Sequence, residues 1–226
     1  MDEGGFEPQV VPFFPLNIVL FPGMELPLHI FESRYQLLVE RTLERDGRLA
    51  LGLLRDASDA EGPPPEAFST VTLAQIDQIA RFKDGRMNIV VTGKLRCRVR
   101  DLIDDEPFRQ ARIEAIPESR DPVPAEVMAR AAELYRSYVE ILVALSAIPL
   151  VQSLPDDPQE ASYLIARTLQ TDLFTKQSLL EAAGPHARLV SEVQLLERDV
   201  ERLRAFAQIN TDLGYFFYRG NRLSMN

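Results

Sequence analysis

The spacing of hydrophobic residues along the chain changes character near residue 120. Before that point, short apolar runs are separated by Pro and Gly turns, and several alternate with polar residues as β-strands do. This pattern predicts one helix over 32–45 and strands over 10–16, 25–30, 49–54, 70–79, 87–99 and 109–116. Pro27 lacks an N–H group, so we expect the strand over 25–30 to lie at a sheet edge.

After Pro122, apolar residues recur at intervals of three and four, the period of an α-helix, first over 127–145. A further helix is predicted to start at Asp157-Pro158, because Asp157 can cap the first turn and proline fits within it. The last predicted helix spans 185–207 and carries a short heptad seam. The seam favours packing against the other helices over a separate coiled coil.

These patterns together predict an α+β fold with three parts. A β-rich part covers 8–118, a helical part covers 122–207, and 208–226 form a tail that contains the aromatic run 215–218. Aromatic residues at a chain end either dock on the folded body or are offered to another molecule. Of these two, we expect docking.

Charge and composition narrow the possible partners. The 226 residues include 25 basic and 34 acidic side chains, a net charge of −9, which disfavours general affinity for nucleic acid or anionic membranes. One cysteine and two histidines exclude an internal disulfide and are too few for a Cys/His zinc site, so we expect no metal and no cofactor. The N-terminus is acidic and the longest apolar stretch, 141–151, is about half a membrane span, so we expect a cytoplasmic protein without membrane contact.

Motifs that carry catalysis are absent from the sequence. There is no Gly-x-Ser-x-Gly elbow and no Gly-x-Gly-x-x-Gly, and Gly93-Lys94 lacks the other residues of a phosphate-binding loop. Cys97 alternates with basic residues on a predicted strand, so its thiol is expected to face the core. We therefore predict a protein without catalytic residues.

Basic residues share one face of the same predicted strand. These are Lys94, Arg96, Arg98 and Arg100, and apolar residues lie between them. One interpretation is a strip for an anionic partner such as RNA or an acidic peptide. The other is the solvent face of a half-buried strand, which the net negative charge and the lack of interleaved aromatic residues favour.

The stretch FPLNIVLFPGMELPLHIFE, residues 14–32, resembles the start of the Lon protease N-terminal (substrate-binding) domain. It is especially similar to the stand-alone bacterial proteins made of that domain. Stretches over 72–76, 84–96 and 176–181 also agree with the family, so the resemblance covers nearly the whole chain. Departures at Val71, Ser33 and Cys97 concern local backbone and packing.

The resemblance implies a PUA-like β-pseudobarrel followed by an α-helical bundle, and a role in recognising unfolded or damaged polypeptides. In full-length Lon enzymes an ATPase and a Ser–Lys peptidase follow this domain. The 226 residues have room for neither module. We therefore expect a non-catalytic relative of the S16 peptidases.

Residues and resemblance together predict a module that captures apolar or unfolded polypeptide segments, as an adaptor or chaperone-like factor beside a separate protease or chaperone. The predicted groove involves Phe21, Met24, Leu28 and Phe31, where an open strand edge can supply backbone pairing. Two alternatives stay open: RNA binding through residues 94–100, and an ATP-independent hydrolase with an unrecognised site.

Overall fold

A computed structural model describes residues 8–54, 67–104, 107–146 and 153–223 of the protein, with only the backbone given for Ser146 and for 209–223. It contains six strands and five helices in these residues. The strands are β1 (Gln9–Leu16), β2 (Glu25–Ile30), β3 (Arg48–Leu53), β4 (Thr70–Arg81), β5 (Met87–Ile103) and β6 (Gln110–Ala115). The helices are α1 (Ser33–Leu43), α2 (Ala125–Ser146), α3 (Pro158–Thr168), α4 (Leu173–Glu181) and α5 (Pro185–Leu223). The predicted α+β class is confirmed.

The sheet closes on itself and leaves one strand outside the closed part. Its order is β2-β5-β4-β3-β1-β6, and β6 also pairs with β5. The long strand β5 can serve three neighbours because its first half pairs with β2, its second half with β6, and β4 lies along both. Among the described strands, β2 therefore pairs with β5 alone, which agrees with the edge position predicted from Pro27.

Two clusters of buried side chains form the core of this sheet. One lies between the sheet and α1 and includes Leu38, Leu49 and Ile89. The other includes Phe13, Val71 and Cys97. The apolar run 18–21 forms no strand, although Val19, Leu20 and Phe21 are all buried.

The chain folds as two compact units. The first comprises the described residues up to Ser119 together with Ala166–Ala182, and the second comprises Arg120–Ile165 with the residues from Ala183 onward. All of 122–207 was predicted to belong to the helical part, but α4 belongs to the unit that contains the sheet. Helix α5 continues to Leu223, so residues 208–223 are helical instead of a separate tail. The aromatic side chains of 215–218 lie outside the described side chains.

The predicted start of α3 is confirmed at atomic detail. The helix begins at Pro158, and the Asp157 carboxylate accepts a hydrogen bond from the Glu160 N–H at 2.8 Å. Such a cap satisfies one of the N–H groups that a helix start leaves unpaired.

Helices α2 and α5 pack antiparallel in the second unit. Arg130 on α2 pairs with Glu197 on α5 at 2.8 Å, which fixes one point of their alignment. Only an antiparallel arrangement then brings the buried part of α2, residues 131–139, opposite the buried part of α5, which begins at Arg188. The predicted packing of the heptad seam against another helix is confirmed.

A buried carboxyl group lies in this helical unit. Glu192 on α5 is fully buried, and neither of its carboxyl oxygens has a hydrogen-bond partner. Arg188, one turn earlier, is directed elsewhere: it donates to the Ser162 hydroxyl at 2.8 Å and lies 4.0 Å above the Tyr163 ring. Burial raises the pKa of Glu192 well above its usual value, and the positive charge of Arg188 only partly opposes this.

We expect the substitution Glu192→Gln to stabilise the protein at neutral and alkaline pH. Because the folded-state pKa of Glu192 is raised, the wild-type protein has its full stability below the unfolded-state pKa and loses stability as the pH rises through the raised value. Each unit of rise corresponds to about 1.4 kcal/mol. In urea unfolding followed by circular dichroism from about pH 4 to pH 9, the free energy of unfolding of the variant should exceed that of the wild type by an amount that grows with pH.

Glu197→Gln is the matched control, because Glu197 lies on the same helix with an exposed side chain. We expect it to change the free energy of unfolding by less than about 1 kcal/mol at every pH. Equal pH dependence of the wild type and the Glu192 variant would contradict a neutral, buried Glu192.

Candidate functional site

The turn before β2 is held in a single conformation. Met24 N–H donates to the Phe21 carbonyl at 3.0 Å, with Pro22 and Gly23 between them, and Gly23 has a φ of 74°. Proline followed by a residue with positive φ is the signature of a type II turn. The Gly23 carbonyl also accepts a hydrogen bond from Arg167 at 2.8 Å. The turn is thus fixed both by its own hydrogen bond and by the end of α3.

A glycine on β5 fixes the register of β2. Gly23 N–H donates to the Gly93 carbonyl at 2.8 Å, and Gly93 N–H donates to the Met24 carbonyl at 2.9 Å. Two residues of one strand thus oppose a single residue of the other, which is a β-bulge that begins at a positive-φ glycine. A Cβ atom on Gly93 would lie 2.4 Å from the Phe21 carbonyl oxygen, so this close approach requires glycine.

Beyond the bulge, the side chains of β2 alternate between the core and the outer face of the sheet. Leu26 and Leu28 pack against the core cluster under α1. Glu25, Pro27 and His29 are exposed on the other face. This alternation places the predicted edge proline on the outer face.

The outer face of β2, β5 and β4 carries a groove of about 480 Å³. Its floor follows the strand register: Val90 lies between Pro27 and Gln78, and Asn88 lies between His29 and Ala80. The remaining lining residues are Leu28, Ile79 and Ile89. Leu28, Ile79 and Ile89 turn their side chains to the core, so three of the six outward side chains, those of His29, Gln78 and Asn88, are polar. Most of the exposed surface of the groove is nevertheless apolar, with a few polar groups among it, the usual composition of a binding site.

Two exposed aromatic rings stand at one end of this groove. Phe31 is 63% exposed and Phe82 is 45% exposed. The His29 ring is near both of them, with centroid distances of 6.1 Å to Phe31 and 6.4 Å to Phe82. His29 Nδ1 is 2.7 Å from the Asn88 side-chain oxygen, which holds its ring over the face. Large exposed aromatic groups beside a groove are typical of binding surfaces.

The structure distributes the four predicted groove residues over three environments. Phe21 is fully buried and is therefore unavailable for contact with a ligand. Met24 and Leu28 are half-buried with their side chains against the core, and only Leu28 also borders the groove. Phe31 is exposed at the end of the groove. Phe82 was missed, because only the register of β4 on β5, which ends at Arg81 opposite Met87, brings it near β2.

The four basic residues of β5 do not form a continuous exposed strip. Arg96 is 2% exposed. It donates to Glu118 at 2.7 Å and to the carbonyl oxygens of Leu180 and Ala182 at 2.7 and 2.5 Å, so the expectation that Arg96 faces solvent is wrong. The carbonyls at the end of α4 attract a buried cation that ties this helix to the sheet. The other three, Lys94, Arg98 and Arg100, are exposed, and Arg100 pairs with Glu114.

Cys97 is fully buried, as the alternation predicts. Desolvation raises the pKa of its thiol to about 12, so it is protonated and a poor nucleophile at neutral pH. In the part of the chain that the structure describes, no three His, Cys, Asp or Glu side chains are grouped closely enough to hold a metal ion. None of the helices described is both long and apolar enough to cross a membrane.

With this geometry established, comparison with known proteins identifies the family. The family model of the ATP-dependent protease La (LON) substrate-binding domain matches residues 10–198. This chain therefore belongs to the Lon substrate-binding domain family, which supports a substrate-binding role. The resemblance seen in residues 14–32 is confirmed.

Sequence relatives are full-length Lon proteases. The Lon protease of Trichlorobacter lovleyi is 29% identical over 214 residues, which are 89% of this chain and 25% of that protein. The Lon protease of Desulfovibrio desulfuricans is 29% identical over 209 residues, covering 90% of this chain and 24% of that protein. The chain thus spans about a quarter of the length of these curated relatives.

Solved structures show the same fold. A Lon N-terminal domain protein from Xanthomonas campestris superposes with a TM-score of 0.63 at 24% identity, over 84% of this chain and 98% of that one. The N-terminal domain of the Mycobacterium avium complex Lon protease gives a TM-score of 0.63 at 17% identity, with the same coverage of both chains. The α+β fold is therefore that of Lon N-terminal domains.

We expect the replacement of Arg96 to lower the free energy of unfolding far more than the replacement of Arg98 on the same strand. In Arg96→Met, the carbonyls of Leu180 and Ala182 and the Glu118 carboxylate lose a buried donor, so we expect a loss of about 3 kcal/mol. Arg98→Met is the control; its side chain is exposed, and we expect a change within about 0.5 kcal/mol. Equal midpoints of urea denaturation for the two variants would contradict the buried role of Arg96.

Proposed function

We propose that the protein binds apolar segments of unfolded polypeptides on the outer face of β2, β5 and β4. It acts without catalysis, as an adaptor or chaperone-like factor that presents such segments to a separate protease or chaperone. One observation carries the proposal: an exposed, mainly apolar groove ends at two exposed phenylalanine rings. Membership of the Lon substrate-binding domain family supports it.

The aromatic end of the groove can supply a substantial part of the binding free energy. The exposed fractions of Phe31 and Phe82, 63% and 45%, together amount to about one whole ring. Covering them removes roughly 200 Å² of apolar surface from water, worth about 5 kcal/mol. Association and ordering of a flexible chain cost about as much or more. Apolar contacts alone therefore give weak binding, and further contacts along the groove are needed.

Unfolded segments are the ligand class that suits this surface best. A folded protein buries its apolar side chains, so it presents few of them to a narrow groove. An unfolded chain exposes runs of apolar side chains in an extended form. A groove that follows three strand segments and ends at aromatic rings can receive apolar side chains from such a chain.

We expect Phe31→Ala to weaken the binding of an unfolded polypeptide by about tenfold, because it removes the more exposed of the two rings. Fluorescein-labelled β-casein, which lacks a stable fold, is a suitable probe for titration by fluorescence anisotropy. Phe82→Ala should act in the same direction.

Phe174→Ala is the matched control. Phe174 is 61% exposed, nearly the same as Phe31, but does not line the groove. We expect the affinity of the Phe174→Ala variant for casein to stay within about twofold of that of the wild type. Equal losses for Phe31→Ala and Phe174→Ala would show nonspecific adhesion to exposed aromatic rings and would contradict a site on this face.

A further inference from the structure

Among the described strands only β5 pairs with β2, so the other side of β2 is an open edge whose backbone groups follow a fixed alternation. In an antiparallel pair, residues alternate between those bonded to the neighbouring strand and those whose N–H and C=O groups point away from it. The bond from Gly93 N–H to the Met24 carbonyl sets this phase. Leu26 and Leu28, opposite Val91 and Ile89, therefore bond to β5. Glu25, Pro27 and His29 direct their backbone groups to the open side.

Two independent observations agree with this phase. Pro27 has no N–H, and a proline in a bonded position would leave the Val90 carbonyl without its donor. The side chains of His29 and Asn88 lie directly opposite and in contact at 2.7 Å, as expected in a non-bonded pair, where opposing side chains come closest. The open edge thus presents the N–H groups of Glu25 and His29 and the C=O groups of Glu25, Pro27 and His29.

We propose that the bound polypeptide adds to the sheet as an antiparallel strand along β2, with Pro27 setting its register. This proposal rests on the proposed function and names its binding mode. An added strand can exchange both hydrogen bonds with Glu25 and with His29. Opposite Pro27 it can only donate, so that the carbonyl of the added residue stays in water. Main-chain pairing supplies affinity that does not depend on sequence, as a binder of many unfolded chains requires.

The register also determines where the added side chains point. Residues opposite Pro27 and His29 project to the same face as those side chains, toward the groove and the rings of Phe31 and Phe82. The residues between them project toward Leu26 and Leu28, which are only partly buried. A segment with large apolar side chains at alternate positions therefore fits best.

Charge complementarity favours one order of charges in that segment. Lys83 follows Phe82 near the end of β2, and Glu25 begins β2; neither has an ion-pair partner among the described residues. An antiparallel chain has its N-terminal end near Lys83 and its C-terminal end near Glu25. We therefore expect the preferred segment to have acidic residues before its apolar run and basic residues after it. At low salt, this order should bind about threefold more tightly than the reverse order.

The edge can be tested with two substitutions at one position. His29→Ala removes the ring and keeps the backbone N–H, whereas His29→Pro removes both. Because the His29 N–H points away from β5, the proline is compatible with the existing ladder. We expect His29→Pro to bind labelled casein about fivefold more weakly than His29→Ala. Pro27→Ala adds a donor to the edge and should bind about threefold more tightly than wild type.

A second measurement uses the wild-type protein and does not depend on the stability of any variant. The probe is a nonapeptide of alternating Val and Thr with a central Phe, a Glu at its N-terminus and a Lys at its C-terminus. Single N-methyl groups are placed at successive peptide positions. We expect N-methylation at every second position to lower the affinity about fivefold, because those N–H groups bond to β2, and N-methylation at the other positions to change it by less than about twofold.

The outcomes separate the binding mode from the proposed function. Suppose that casein binds the wild type, that His29→Pro and His29→Ala bind it with equal affinity, and that the effect of N-methylation does not alternate along the peptide. Strand addition is then wrong, while the groove still binds polypeptide. If neither casein nor the nonapeptide binds the wild type, both proposals fail. Tighter binding of a nonapeptide with Lys at its N-terminus and Glu at its C-terminus would overturn the antiparallel orientation.

Discussion

The pairing of β2 with β5 is the constraint on which the candidate site depends. The turn at Gly23 and the close approach of Gly93 to Phe21 leave one possible register for β2. A shift by one residue would turn Leu26 and Leu28 outward and bury Pro27 and His29. The same register aligns the groove and decides which backbone groups face the open edge.

In the proposed binding mode, the outer face and the open edge make complementary contributions. Covering the rings of Phe31 and Phe82 gives apolar free energy that does not require a particular partner. Backbone pairing adds hydrogen bonds common to all polypeptides and also orients the chain. Both contributions suit the unfolded state in general and not a particular sequence. The missing donor at Pro27 also makes the edge a weaker template for self-association of the protein.

The sequence predicted much of the fold because the signals were local. Alternating side chains and Pro27 identified an edge strand, and Asp157 identified the start of a helix. Arg96 could not be assigned from strand alternation, because its partners at Leu180 and Ala182 lie more than eighty residues away. For the same reason, the grouping of α4 with the sheet was not predicted.

The candidate site was predicted only in part. The N-terminal segment singled out in the sequence includes Leu28 and Phe31, which lie beside the groove. Phe21 is buried because the turn that follows it folds back on β5, a tertiary effect without a periodic signature. Phe82 follows β4 and comes near His29 only through the pairing of three strands. Membership of the Lon substrate-binding domain family supports a substrate-binding role, and the surface proposed for it is inferred from the geometry of β2, β5 and β4.

Amide hydrogen exchange at β2, measured by NMR with and without unlabelled casein, tests the central claim most directly. The amides of Glu25 and His29 point to the open edge, so casein should slow their exchange by at least about fivefold. The amides of Leu26 and Leu28 are already bonded to β5 and should change little. Bound casein that leaves the exchange of Glu25 and His29 unchanged would contradict the account.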